Sequence, residues 1–288
     1  MGALLACGSR GAGSVALGSG MACSKQRAPS RGRTRIVSLA PDLTHTLFSI
    51  GAGELVVGVS DYCQDPEAVQ RLPRVGTSLT PNYEAITRLE PTLILSEDNR
   101  SARKRELSAI ARAEFLPWLS LAEVAASIRV LGRLTQHGRE ANQLAERLVS
   151  VLGVPPPTAG PRVLLVLGDG ADAPGELWFV RQNSLHGAAL NAAGARNAVP
   201  EAVLAAPRLS YERLVQLDPD AILLLCLPNR AAERATTIGT LQRFETLSAV
   251  KRRRVGILES EAAFANGPRI LTLVPALRDR LKALELVP

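Results

Sequence analysis

No apolar run in the sequence approaches the roughly 18 residues that a membrane-spanning helix needs. The longest uninterrupted run, Ala221 to Leu227, has the length of a buried strand. Cysteine is scarce. Only Cys63 and Cys226 lie beyond residue 34, and no C-x-x-C spacing points to zinc or dithiol chemistry. There are three histidines, and neither His45 nor His186 has a second metal ligand three or four residues on. P-loop, G-x-S-x-G and H-E-x-x-H motifs are absent, and no Ser/His/Asp or Cys/His arrangement can be assembled. Gly168 to Ala173 formally fits G-x-G-x-x-A. Pro174 and Gly175 follow it, however, and the window from Ala188 to Gly194 holds no acid for a ribose, so a dinucleotide cofactor is not expected. These absences together describe a protein without catalytic residues, resident metal or cofactor.

Acidic residues are also missing from the first 35 positions, which hold six cations (Arg10, Lys25, Arg27, Arg31, Arg33, Arg35). Of the formal net charge of +7, only +1 therefore belongs to residues 36–288. A near-neutral body lacks the clustered cations that nucleic-acid binding requires. The one internal run, Lys251 to Arg254, reads as a solvated loop. Residues 1–34 are rich in Gly, Ala and Ser without apolar periodicity. Within them Leu4-Leu5-Ala6-Cys7 resembles a bacterial lipobox. It implies a signal and lipoprotein leader, lipidation at Cys7 and a flexible tether up to residue 34.

What is present is alternation. Strand-like Ile36 to Leu39 leads into a helix over Asp42–Ile50, capped by Asp42 and stopped by Gly51 and Gly53. Leu55–Val59 reads as a strand, Tyr83–Leu89 as a short helix, Leu93–Leu95 as a strand and Ser101–Ala113 as a helix. Strand and helix in alternation predict an α/β domain with a largely parallel sheet. Ser120–Leu152 then carries apolar residues at helical spacing, with a weak point at Gly138. If continuous it would span roughly 50 Å, a strut between domains rather than a crossover within one. A new strand begins at Arg162.

The most informative feature is an internal repeat. Asn82-Tyr83-Glu84 to Leu95 returns as Ser210-Tyr211-Glu212 to Leu223 at an offset of 128, and the strands at Arg35 and Arg162 match at 127. The predicted architecture is α/β, with two Rossmann-like lobes (residues 35–118 and 161–288). A single long α-helix (119–153) joins them, and a ligand cleft lies between them. Glu84 and Glu212 hold equivalent places. Locally, Asn82 and Ser210 cap short helices whose first turns favour an acid. Alternatively, the two carboxylates meet two arginines of a symmetric partner. The residues alone leave both readings open.

Over nearly all of residues 35–288 the chain resembles the substrate-binding proteins of ABC importers for cobalamin, haem and ferric siderophores, most closely the cobalamin-binding members. The resemblance is carried by RIVSLAPDLTHTLFSIGAGELVVGVSDYC (35–63), LPRVGTSLTPNYEAITRLEPTLIL (72–95), SLHGAALNAAGARNAV (184–199), LSYERLVQLDPDAILLL (209–225) and FANGPRIL (264–271). It implies a monomer outside the cytoplasm, in the periplasm or cell envelope, that touches the membrane only through a lipid anchor. This monomer would capture a corrinoid or other metal chelate and deliver it to a dimeric permease with its ATPase. The resemblance places permease docking at Glu84 and Glu212. Tyr62 matches an aromatic of the cleft, and Trp178, beside Phe179, matches another. Ser78 and Glu97 stand where cobalamin binders carry tryptophans, Glu261 matches an acid of the cleft, and Ala265 replaces an arginine four residues later. The exchanged tryptophans remove stacking area, so the pattern also admits a ferric siderophore or haem.

Overall fold

The computed structural model describes residues 33–98, 103–169, 175–202, 207–230 and 234–288. The leader with Cys7 lies outside them, as do residues 170–174 of the glycine-rich stretch. In the first lobe β1 (Ile36–Ser38), α1 (Pro41–Ser49), β2 (Val56–Val59), α2 (Tyr83–Arg88), β3 (Leu93–Glu97), α3 (Lys104–Ile110) and β4 (Arg112–Leu116) follow in order. The strands form a parallel sheet ordered β2-β1-β3-β4. The second lobe holds β5 (Arg162–Asp169), β6 (Glu176–Phe179), α6 (Leu185–Ala192), β7 (Arg196–Asn197), β8 (Arg208–Ser210), α7 (Tyr211–Leu217), β9 (Ala221–Cys226), α8 (Ala235–Gln242), α9 (Ser248–Lys251), β10 (Val255–Glu259) and α10 (Leu273–Ala283). Its sheet runs β10-β9-β5-β6-β8, with β7 beside β5.

Three features depart from expectation. The segment Ser101–Ala113 does not stay helical: α3 ends at Ile110 and β4 begins at Arg112, its carbonyls and amides completing the edge beside β3. The second sheet is mixed, because β6 runs antiparallel to both β5 and β8. The single connecting helix is two helices of 15 residues each, α4 (Leu121–Thr135) and α5 (Gly138–Leu152). The chain leaves α4 through Gln136 in the left-handed conformation, φ +64°, which ends the hydrogen-bond ladder. The helices then pack on each other. A Cβ at Gly132 would lie 2.4 Å from that of Ala141, so the close crossing needs glycine. A strut of 50 Å is thereby replaced by a hairpin about 22 Å long. Ser120 starts it with a capping box, its hydroxyl accepting from Glu123 N–H.

The hairpin matters because of what it buries. Ile128 and Leu131 of α4 and Ala141 and Leu148 of α5 share one cluster with Leu43 and Leu47 of α1 in the first lobe and Leu165, Leu223 and Leu277 in the second. One core therefore runs through both lobes. Each fully buried leucine in it contributes about 2 kcal/mol of transfer free energy.

The repeat is structural as well. Ile36 pairs with Leu93 and Val37 with Ile94, while Val163 pairs with Ala221 and Leu164 with Ile222, the register the two offsets dictate. The arginine before each first strand does the same work. Arg35 donates through Nε and Nη2 to the Leu89 carbonyl (3.0 and 2.8 Å), at the end of α2. Arg162 donates to the carbonyls of Leu217 (2.8 Å) and Asp218 (2.6 Å), at the end of α7. Both helices then turn through a positive-φ acid, Glu90 (44°) or Asp218 (38°). A guanidinium on the orphan carbonyls of a helix C-terminus satisfies them and complements the dipole. Arg162 is half-buried and Arg35 exposed. Arg162→Met should therefore cost about 2 kcal/mol in urea unfolding and Arg35→Met under about 1 kcal/mol. Equal costs would show that these arginines do not tie strand to helix.

Candidate functional site

Between the lobes lies a cavity of about 350 Å³. Its residues follow the carboxyl ends of parallel strands: His45 after β1, Tyr62 and Asp65 after β2, Leu227 after β9 and Glu261 after β10. Ligands of open α/β sheets collect there because connections leave the sheet at that edge and open a crevice. Arg269, in a 3₁₀ turn over Pro268–Thr272, completes the lining from the second lobe. A smaller cavity of about 220 Å³ lies on the other side of the 264–269 segment and is lined by Phe179, Arg181, His186, Phe264 and Asn266.

The electrostatics are dense. Asp65 Oδ2 stands 3.3 Å from Arg269 Nη1 and 3.5 Å from His45 Nε2. Burial pushes the His45 imidazole below its ordinary value, against the pull of Asp65. Its neutral form is favoured, and the cross-lobe ion pair is Asp65–Arg269. His45 Nδ1 faces Ser49 Oγ at 3.3 Å, which fixes the ring on α1. Asp42 does not cap α1: the N-cap is Ala40, with Pro41 at the first position and no side-chain capping bond. Its carboxylate turns instead to the second lobe, where the Asn266 N–H donates to it. A Cβ at Gly267 would lie 3.1 Å from its Oδ1. Burial raises Asp42 to about 6 despite Asn266 and Arg269, and burial with the nearby Asp42 raises Glu97 to about 7.

The expected site residues divide. Tyr62, 69% exposed, and Glu261 come together in the larger cavity. Glu97 ends β3 beside Asp42. Ser78 sits part-exposed in the turn closed by Thr77 and Thr80 and lines neither cavity. Trp178 also lines neither; its ring is covered by Arg208 at 5.1 Å. Phe179 is buried in the second lobe's own core and shows one edge to the smaller cavity. Glu84 and Glu212 are exposed in the first turns of α2 and α7, with Asn82 and Ser210 accepting the capping bonds at 3.0 and 3.2 Å. Glu84 also pairs with Arg88 at 3.2 Å.

Asp42, His45, Asp65 and Arg269 were not singled out from the sequence as cleft residues. Arg269 lies within FANGPRIL, yet only the fold shows that it crosses to Asp65. His45 and His186 share no metal site. His186 is buried with Nε2 on the Ala263 carbonyl at 2.9 Å, and among the described residues no group of three His, Cys, Asp or Glu could hold a metal. Cys63 and Cys226 are both buried, and neither forms a disulfide.

Two lobes of repeated α/β topology, one shared core and a polar cavity at their junction define a two-lobed binding scaffold. The chain belongs to the periplasmic binding protein family, whose model matches residues 36–262. It is 30% identical over 202 residues to a cobalamin-binding protein of Halobacterium salinarum, covering 66% of this chain and 53% of that one; the chain thus spans about half of that relative's length. In structure it is similar to the vitamin B12 binding protein BtuF of Vibrio cholerae (25% identity, TM-score 0.65, covering 87% of this chain and 97% of that one). It is equally similar to IsdE of S. aureus complexed with heme (25% identity, TM-score 0.64, 88% and 99%).

Sign and window of the pH dependence follow from the raised carboxyls. An acid that binds its proton more tightly when folded favours the fold at low pH, and that contribution is lost as pH rises through the folded value. For Glu97 the window runs from its ordinary 4.5 to about 7. Glu97→Gln should therefore stabilise the protein more at pH 8 than at pH 5, by about 2 kcal/mol in urea titrations. Equal effects at both pH values would mean that Glu97 is not desolvated beside Asp42.

Proposed function

We propose that this protein is the substrate-binding component of an ABC importer, working outside the cytoplasm. It captures cobalamin or a related corrinoid between its lobes and hands it to a permease dimer coupled to an ATPase. The observation that carries the reading is the cavity lined from both lobes at the carboxyl ends of their strands. The cobalamin-binding relative from Halobacterium salinarum supports the corrinoid. The likeness to IsdE supports a second reading, the same scaffold holding haem or a ferric siderophore. Tyr62, Glu261 and Arg269 would contact the ligand in either case. Glu97 would border it through Asp42 and Phe179 from the smaller cavity, while Ser78 and Trp178 are kept as ligand residues on the family resemblance alone. No covalent step is assigned, and the bound chelate is cargo rather than cofactor.

Glu84 and Glu212 are read as the permease-docking pair. Their helices are the repeated unit, and a symmetric permease presenting two like basic sites would favour two like carboxylates. The exposed Glu84–Arg88 pair contributes little to stability, so Glu84 is free to exchange partners. Cys7 would take a lipid, leaving residues 8–34 as tether. Charge reversal at both glutamates should abolish uptake in cells while leaving chelate affinity of the purified protein within about twofold. Lost affinity would instead make them pocket or structural residues.

A further inference from the structure

The cavity between the lobes says something about the charge of what fills it. Its charged lining is Asp65 and Glu261 against Arg269, with His45 beside them. The cation already has a partner: Arg269 Nη1 stands 3.3 Å from Asp65 Oδ2, while its Nε is buried without a hydrogen-bond partner. Burial lowers the proton affinity of the imidazole, which favours its uncharged form. Behind this wall Asp42 and Glu97 add two more carboxyl groups, near enough to perturb each other. In the smaller cavity Arg181 is engaged as well. The remaining polar lining, Gln64, Gln70 and the Tyr62 hydroxyl, can both donate and accept hydrogen bonds.

A ligand bearing carboxylates would meet Glu261, Asp65 and the two carboxyls behind them in a partly desolvated site, where like charges repel most. To bind Arg269 it would have to share the guanidinium with Asp65, a second carboxylate beside the first. A ligand whose periphery carries amides or positive charge donates to the same acceptors at no such cost. We infer that the cavity selects metal chelates whose periphery is amide-bearing or cationic and rejects those that carry free carboxylates. The inference rests on the transport reading above and sharpens it. It separates ligands by charge, whatever their metal, and makes Glu261 and Asp65 the specificity-determining residues.

The test uses two corrinoids with the same ring and metal. Dicyanocobyrinic acid heptaamide has seven neutral amides, and dicyanocobyrinic acid has carboxylates in their place. Haemin, with two carboxylates, serves as a third probe. Each is titrated into the full chain at pH 7.5 by tryptophan quenching, at low and high salt. The heptaamide should bind about tenfold or more tightly than the acid and haemin. The gap should narrow in Glu261→Gln and Asp65→Asn, and in high salt. Glu261 is exposed and Asp65 about half-exposed, so both variants should fold, and an unchanged melting temperature of the unliganded variants would report it. Haemin or the acid bound as tightly as the heptaamide would overturn the charge selection and leave the transport reading standing. Saturable binding by none of the three would take down the charge selection together with the corrinoid and haem readings.

Discussion

Everything about the cleft depends on one constraint: both lobes bury their apolar faces in the same core. The α4–α5 hairpin closes that core, with Gly132 letting the helices meet. The junction is therefore a packed interior rather than a linker, and groups at its edge are desolvated. The shifts of Asp42, Glu97 and His45 all have burial as their largest cause. A looser connection would admit water and return these groups towards ordinary values. The geometry that makes a cavity at the junction also makes its electrostatics.

Within that frame the two lobes are variations on one unit. Arginine on the end of a helix, a polar cap at its start, a strand in fixed register and an acid at positive φ recur at constant offsets. Divergence is concentrated where the chain meets the cleft. The second lobe inserts the antiparallel strands β6 and β8, which carry Phe179 to the smaller cavity. It also adds the 264–269 segment, which reaches Asp42 and Asp65 of the first lobe. Scaffold is repeated, and recognition is not.

The same division explains how much was legible in the sequence. The repeat, the α/β alternation and the capped helices opening on Glu84 and Glu212 are local or periodic, and each appears where the residues place it. The connector was misread because Gln136 is an ordinary helix former. Nothing in its type announces a left-handed turn, and the apolar spacing continues across it. The edge strand β4 was hidden in the same way, its Arg-Ala-Glu-Phe-Leu lacking β-branched residues. At the cavity, Tyr62 and Glu261 are positions that family likeness points to, and both line it. Asp42 reads as a cap in the sequence because an acid at a helix start usually is one. Its turn towards Asn266 is a long-range contact, 224 residues away in sequence, and so is the Asp65–Arg269 pair. Trp178 illustrates the reverse error: an aromatic at a family position whose ring is covered by Arg208 rather than lining either cavity.

The central claim is that one shared core, beside each lobe's own, binds both lobes around a ligand cavity. Differential scanning calorimetry of the full chain, with increasing cyanocobalamin, tests it most directly. One core predicts one transition whose calorimetric and van't Hoff enthalpies agree. A ligand held between the lobes should raise its midpoint steadily with concentration, the gain in stability reaching about 2.7 kcal/mol at a hundredfold excess over Kd. Two resolved transitions, or one transition that cyanocobalamin raises only in part, would contradict it.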